Sequence, residues 1–496
     1  MENYDVIIIG GGPAGYSAAM RAIDFKKKVC LIEKKRIGGA GLFNGALSSK
    51  TLWELSEKVN NINETFHTSN KEQFFLPWSQ VKKTLNEAIF ERKLQYVSHL
   101  ALLQNEAKQV NFTLLKGEAS FIDTHQILIQ HPDGNKIIYG ENIIIASGSK
   151  PRILPNIPVD EKIIMTSNGI EDIEDYPESL VIIGAGIVGC EYATIFSNFG
   201  KTKVYIIDRQ DRILPFEDKD VSDLISNKME KKGIHIHHNS NLNNIEIIDS
   251  KVVYEILYDD GKKETIKVDK ALLAVGRVPN IEELKIENAG VLMSKRGVHI
   301  GDDDTRTNIP HIYAVGDVSG RIALVNIAEM EARHAVEKIF ENTRQRLNYN
   351  NLSSIMFLHP EVATVGLNEQ DCVKKNIPVK IVKIDYSLIP RAIAMRKTEG
   401  FFKMIVSNDN EMKILGMRVV GEHASSAIQE IAFLIQQNLG IKELSHLIHP
   451  HPSIVEGIQE CVRMLMKESI FKSTVFKDKM SCYSVINGVK REINKL

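Results

Sequence analysis

Val6-Ile7-Ile8-Ile9-Gly10-Gly11-Gly12-Pro13-Ala14-Gly15 joins a short apolar run to glycines at Gly10, Gly12 and Gly15. The run predicts a strand buried on both faces, the glycines a tight turn, and the residues after them a helix. Glu33 stands 18 residues past Gly15, at the end of the next apolar run, Lys28 to Glu33. Strand, glycine turn, helix, strand and acid in that order form a dinucleotide-binding unit. The glycines let the backbone approach a pyrophosphate, the helix N-terminus attracts its charge, and the acid accepts from ribose hydroxyls.

The same grammar returns later in the chain. Leu180-Val181-Ile182-Ile183 precedes Gly184, Gly186 and Gly189 in the same spacing, and Asp208 follows 19 residues past Gly189. Two copies make each one more specific than it would be alone. An acid at Asp208 repels a 2'-phosphate and favours NAD, while the adjacent Arg209 leaves NADP possible. Two further segments, Ile143-Ile144-Ile145-Ala146-Ser147-Gly148 and Ala271-Leu272-Leu273-Ala274-Val275-Gly276, also share a form. Each predicts a strand ending in small residues, with Gly148 and Gly276 allowing a ligand close to the backbone.

Composition narrows the classes. At 496 residues the chain exceeds one core and predicts three or four domains. It carries 62 Lys and Arg against 63 Asp and Glu, so no overall field argues for nucleic acid or an anionic membrane. No apolar run approaches the roughly 18 residues that a bilayer span needs. The start, Met1-Glu2-Asn3-Tyr4-Asp5, lacks the basic character of a signal peptide. Five scattered cysteines, Cys30, Cys190, Cys372, Cys461 and Cys482, form neither a metal-ligand pattern nor a disulphide framework, which implies a reducing, cytoplasmic setting. Trp78 to Leu103 has helical periodicity, Lys116 to Gln130 alternates like strands, and Asn342 to Ser354 has the polarity of a linker. Residues 473–496 read as a polar tail without a packing pattern.

Gly38-Gly39-Ala40-Gly41-Leu42-Phe43-Asn44-Gly45-Ala46-Leu47-Ser48-Ser49-Lys50 carries the remaining information. It resembles the active-site segment of class I pyridine nucleotide-disulphide oxidoreductases, the dihydrolipoamide dehydrogenase and glutathione reductase family, whose pattern here is GGTCxxxGCxPSK. Gly41 and Ala46 occupy the two cysteine places, and Ser48 stands where that pattern has proline. The resemblance spans about residues 4 to 470. It includes Ile312-Tyr313-Ala314-Val315-Gly316-Asp317-Val318, similar to the family's second FAD motif, and Phe357-Leu358-His359-Pro360-Glu361-Val362-Ala363, similar to the start of its dimerisation domain.

What the resemblance implies is an α/β chain with two Rossmann-like dinucleotide-binding domains, for FAD and NAD, and a C-terminal α+β dimerisation domain. The expected divisions are an FAD domain in two parts, residues 1–152 and 275–345, around an NAD domain at 153–274. The dimerisation domain is then 350–470, before the tail at 473–496. Gly10, Gly12, Gly15, Glu33, Gly148 and Asp317 fall to FAD, and Gly184, Gly186, Gly189, Asp208 and Gly276 to the nicotinamide nucleotide. Lys50 and Glu191 match a charged pair beside the flavin. His451 and Glu456 match an acid–base dyad that serves the partner subunit's flavin in a homodimer. Ser453 and Glu456 also read as a helix-capping box before the stripe Ile454, Ile458, Val462 and Leu465.

Without cysteines at positions 41 and 46, dithiol–disulphide turnover by the family route is not expected. The expectation is an FAD-dependent NAD(P)H oxidoreductase with a non-disulphide acceptor, like the soluble pyridine nucleotide transhydrogenases of the same family. The alternative is a cofactor-binding or partner-binding subunit without turnover. Loss of two side chains further predicts an open pocket on the flavin face opposite nicotinamide, unless Phe43 or Leu47 fills it.

Overall fold

The structure is a computed structural model and describes residues 1–66, 73–105, 111–301 and 304–493. Its first sheet is centred on Glu2–Ile9, which pairs in parallel with Val29–Glu33 on one side and Lys136–Ile145 on the other. Phe112–Lys116 extends it in parallel beyond Val29–Glu33, and Ile312–Ala314 also pairs in parallel with Lys136–Ile145. Glu118–Phe121 and Gln126–Gln130 complete it as an antiparallel meander. Val6 to Ile9 and Ile143 to Ile145 are buried, as continuous apolar strands covered on both faces must be. Helix α1 (Pro13–Asp24) starts on the rigid ring of Pro13, which suits a first helical turn. Its Ala14, Ala18 and Ala22 share a core with Ala328, Ala332 and Ala335 of the helix Val325–Phe340, small side chains that permit close approach.

Two long helices follow the Gly38–Lys50 segment: α2 (Ala46–Phe66) and α3 (Trp78–Asn105). The second sheet is parallel, in the order His235–His237, Lys203–Ile207, Ser179–Ile183, Lys270–Leu273, Ile164–Met165. Helices α4 (Ile187–Phe199) and α5 (Lys219–Lys231) accompany it, and the left-handed Gly200, φ 73°, terminates α4. An antiparallel three-stranded sheet at residues 240–268 packs Val252, Tyr254 and Ile256 into the same core as Val181 and Leu273. Ser149–Pro151 and Arg277–Pro279 pair antiparallel, where the chain leaves the first domain and returns to it.

The C-terminal unit is a seven-stranded sheet, every neighbouring pair antiparallel. Helix α6 (Glu456–Met466) buries Ile458, Val462 and Leu465 against it. The tail departs from expectation. Met480–Ile486 pairs with Val379–Asp385, and Val489–Glu492 closes a hairpin on it. Met480 and Cys482 enter one core and Tyr483 and Val485 another, so this strand is buried on both faces despite its serines. Only residues 494–496 of the expected tail lie outside the described residues. Among the described residues, no helix is long and apolar enough to cross a membrane.

Candidate functional site

The two glycine turns are near copies. A Cβ on Gly10 would fall 2.3 Å from the Ala146 carbonyl oxygen, and one on Gly184 2.5 Å from that of Ala274. On Gly15 it would fall 1.8 Å from the Gly10 oxygen, and on Gly189 1.9 Å from the Gly184 oxygen, so all four positions require glycine. A Cβ on Gly12 or Gly186 would meet open space. Both glycines cap their helices without a side-chain hydrogen bond, leaving amide donors for a pyrophosphate. Glu33 accepts from the Gly11 N–H at 2.7 Å and the Lys35 N–H at 2.7 Å. Asp208 likewise accepts from the Ala185 N–H at 2.5 Å and the Gln210 N–H at 2.8 Å.

Between the turns, Gly148 (φ 68°) and Gly276 (φ 100°) also face open space. Asp317 accepts from the Ser149 hydroxyl at 2.5 Å, and Arg277 Nε donates to that hydroxyl at 2.7 Å. Glu331, fully buried, accepts from the Gly316 N–H at 2.7 Å and the Tyr349 hydroxyl at 2.8 Å. Burial holds its carboxyl above the usual range. Asp317 was expected from the sequence; Ser149, Arg277, Glu331 and Tyr349 were not singled out there, and only the adjacency of Ser149 to Gly148 and of Arg277 to Gly276 pointed toward the first two. Open glycine cradles, uncapped helix starts and an acid fixed beside each turn fit two dinucleotides, FAD and NAD(P).

Lys50, one turn into α2, and Glu191, in α4, are brought together: Nζ lies 2.8 Å from Oε2, with Glu191 only 6% exposed and Lys50 31%. The other Glu191 oxygen accepts from the Phe357 N–H at 3.1 Å, and Lys50 Nζ sits 4.8 Å from the Phe357 ring centroid. The preceding loop is tightly filled. A Cβ on Gly41 would lie 2.4 Å from Pro13 Cγ, and one on Gly45 2.0 Å from the Ala40 oxygen. Phe43 turns into a cluster with Leu42 and Tyr96, against which Leu47 and Tyr16 pack. The expected vacated space is therefore absent at Gly41, where the Pro13 ring takes the side-chain direction. Asn44 ties the loop to the Gly169–Asp172 turn, its N–H donating to Glu171 and its side-chain amide to the Asn168 carbonyl at 2.7 Å.

None of the cysteines offers a thiolate. All five are buried and unpaired. Burial pushes Cys30 up to about 12, Cys372 and Cys482 up to about 11, and Cys190 and Cys461 higher still, keeping every thiol protonated near neutrality.

His451 Nδ1 lies 2.8 Å from Glu456 Oε1, and the other Glu456 oxygen accepts from the Ser453 N–H at 2.8 Å. One carboxylate thus serves both arrangements considered for it. Among the described residues Ser453 Oγ has no hydrogen-bond partner, so only half of the capping box forms. The His451 side chain is 68% exposed, directed outward from this chain.

Comparison with known proteins agrees with this layout. Residues 4–332 match the family model "Pyridine nucleotide-disulphide oxidoreductase", and residues 352–462 match its dimerisation domain. A dihydrolipoyl dehydrogenase of Chlamydia pneumoniae is 34% identical over 92% of this chain and 95% of its own length. One from Bacillus subtilis is 30% identical over 94% and 97%. Among solved structures, the HOCl-induced flavoprotein disulphide reductase RclA from Escherichia coli, as its Cu(II) complex, superposes with TM-score 0.82. It is 26% identical and covers 94% of this chain and all of its own. LpdA from Mycobacterium tuberculosis, 24% identical over 94% of this chain and all of its own, shares the fold at TM-score 0.83.

Proposed function

This chain belongs to the pyridine nucleotide-disulphide oxidoreductase family, and on that premise we propose that it is an FAD-dependent NAD(P)H oxidoreductase whose acceptor is not a disulphide. The net reaction is NAD(P)H plus a proton plus oxidised acceptor giving NAD(P)+ and the doubly reduced acceptor. Bound FAD supplies the two-electron carrier between the two half-reactions. The observation that carries the reading is the intact Lys50–Glu191 pair, 2.8 Å apart, beside a segment from Gly38 to Lys50 that holds no cysteine.

Each group has a role. Gly10, Gly12, Gly15, Glu33, Gly148 and Asp317 would hold FAD; Gly184, Gly186, Gly189, Asp208 and Gly276 would hold the nicotinamide nucleotide. Asp208, fixed by two backbone donors, places negative charge where a 2'-phosphate would sit and favours NADH. Glu191 keeps the Lys50 ammonium oriented, so a positive charge stands ready without reorganisation. His451, held by Glu456, would exchange a proton with an acceptor across a homodimer interface.

A steady-state comparison tests the proposal. The purified holoenzyme, given NADH or NADPH, is offered a quinone, an artificial dye, oxygen, a second oxidised nicotinamide nucleotide or oxidised lipoamide. Reduction of one of the first four, faster with NADH and without lipoamide turnover, is expected. Lipoamide turnover would reject the proposal, and inertness toward every acceptor would favour a cofactor-binding subunit.

A further inference from the structure

A closed ring of side chains joins the three domains along α2, beginning at Glu57, seven residues beyond Lys50. His359 Nδ1 lies 3.0 Å from Glu57 Oε2; the other Glu57 oxygen accepts from Asn198 at 2.6 Å; and Asn198 accepts from Lys232 Nζ at 2.5 Å. Lys232 also donates to Asn60 at 2.6 Å, Asn60 donates to Glu64 at 2.9 Å, and Glu64 Oε1 returns to His359 Nε2 at 3.3 Å. Glu57, Asn60 and Glu64 come from α2, Asn198 and Lys232 from the second domain, and His359 from the third. Lys397 pairs with the outer Glu64 oxygen, and Lys228, paired with Glu399, stands behind.

Both nitrogens of His359 face carboxylates, an arrangement that only the doubly protonated imidazolium satisfies with two donors. Its side chain is 13% exposed, and the two carboxylates outweigh the burial and the nearby Lys232, holding its pKa above the ordinary imidazole value. The residues just before it carry the connection. Trp53 Nε1 donates to the Leu358 carbonyl at 3.3 Å, and the Trp53 and Phe357 rings meet edge to face at 5.1 Å. Phe357 then donates its N–H to Glu191 and lays its ring under Lys50.

We propose that His359 is a positioning residue for the Lys50–Glu191 pair. Clamped between Glu57 and Glu64, it fixes residues 357–359 along α2, so that the Phe357 amide holds Glu191 and the Phe357 ring supports Lys50. Deprotonation turns one donor into a lone pair against a carboxylate, which loosens the segment. The positively charged state therefore prevails below the raised pKa of His359 and is lost as pH climbs through it. The inference rests on the reading that this pair serves hydride delivery at bound FAD.

The test uses the FAD-loaded enzyme and two readouts: the anaerobic rate of flavin bleaching by NADH against pH, and the absorption spectrum of the oxidised flavin against pH without nucleotide. Wild type is expected to show an alkaline limb in both. In His359→Gln the limb vanishes and reduction at pH 6.5 falls about tenfold. Where that variant fails to fold, Glu64→Gln, at a half-exposed site, moves the limb to lower pH by about one unit. A limb unchanged in His359→Gln belongs to Lys232 or another group and overturns the inference, as does an unmoved limb in Glu64→Gln. Wild type that NADH does not reduce would defeat the proposed function instead, while the nucleotide-free spectra still judge His359.

Discussion

Gly41 and Pro13 set the residue-scale picture. With Pro13 Cγ 2.4 Å from where a Cβ would project, the loop packs closely against Gly41, and any larger side chain there forces a shift. The double variant Gly41→Cys, Ala46→Cys is expected to lose about 1–3 kcal/mol to overpacking and to gain no lipoamide turnover, measured by thermal unfolding and lipoamide-dependent NADH oxidation. Lys50→Met leaves Glu191, 6% exposed, with the Phe357 N–H as its remaining donor. Flavin reduction by NADH in that variant should fall by about 10- to 100-fold in stopped flow. The pairing of these two residues was legible through the resemblance, and so was the absence of cysteine between Gly38 and Lys50. What the sequence hid was the neighbour: nothing in the spacing between Pro13 and Gly41 signals that one ring fills the other's side-chain direction, because that contact depends on how loop and helix meet.

At the scale of elements, α2 and the C-terminal hairpin teach opposite lessons. Lys50, Trp53, Glu57, Asn60 and Glu64 recur at intervals of three and four residues, one face of a helix. Yet that face is mostly polar, with only Glu57 and Asn60 buried, so hydrophobic periodicity gives no warning of it; its partners come from two other domains. The strands at Val6–Ile9 and Leu180–Ile183 were readable as short continuous apolar runs ending in glycine, and the helix beginning at Trp78 by its helical spacing. The hairpin at Met480–Glu492 was not, because its first strand interleaves two cores with exposed Ser481 and half-buried Ser484. Tyr483 in that strand donates to Glu369 at 2.9 Å, and Glu369 lies 2.7 Å from Lys403, a buried ammonium also paired with Asp218 and Asp220 of the second domain. Tyr483→Phe should cost about 1 kcal/mol, seen as a lower thermal midpoint with NADH-dependent flavin reduction unchanged.

For the whole molecule, ion pairs as well as apolar contacts join the domains, so pH should affect their coupling. Glu64 is held well below its ordinary carboxylate range by His359, Lys397 and Asn60, and its contribution is present above the unfolded value of 4.5 and lost as pH falls below it. His359 is raised above 6.5, so its contribution is complete below that value and lost as pH rises through its folded pKa. Hydrogen exchange in the second half of α2, corrected for intrinsic rates, should therefore be slowest between about pH 4.5 and 6.5 and faster on either side. The duplicated glycine turns, both shaped for a dinucleotide, were the most legible part of the whole, whereas no comparable repeated motif identifies the acceptor. One measurement goes to the centre of the account: anaerobic titration of the FAD-loaded enzyme with NADH, counting equivalents consumed per flavin. A flavin acting without a disulphide should be fully bleached by one equivalent, with no long-wavelength thiolate band. Consumption of a second equivalent, or the appearance of that band, would reveal another redox centre and contradict the account.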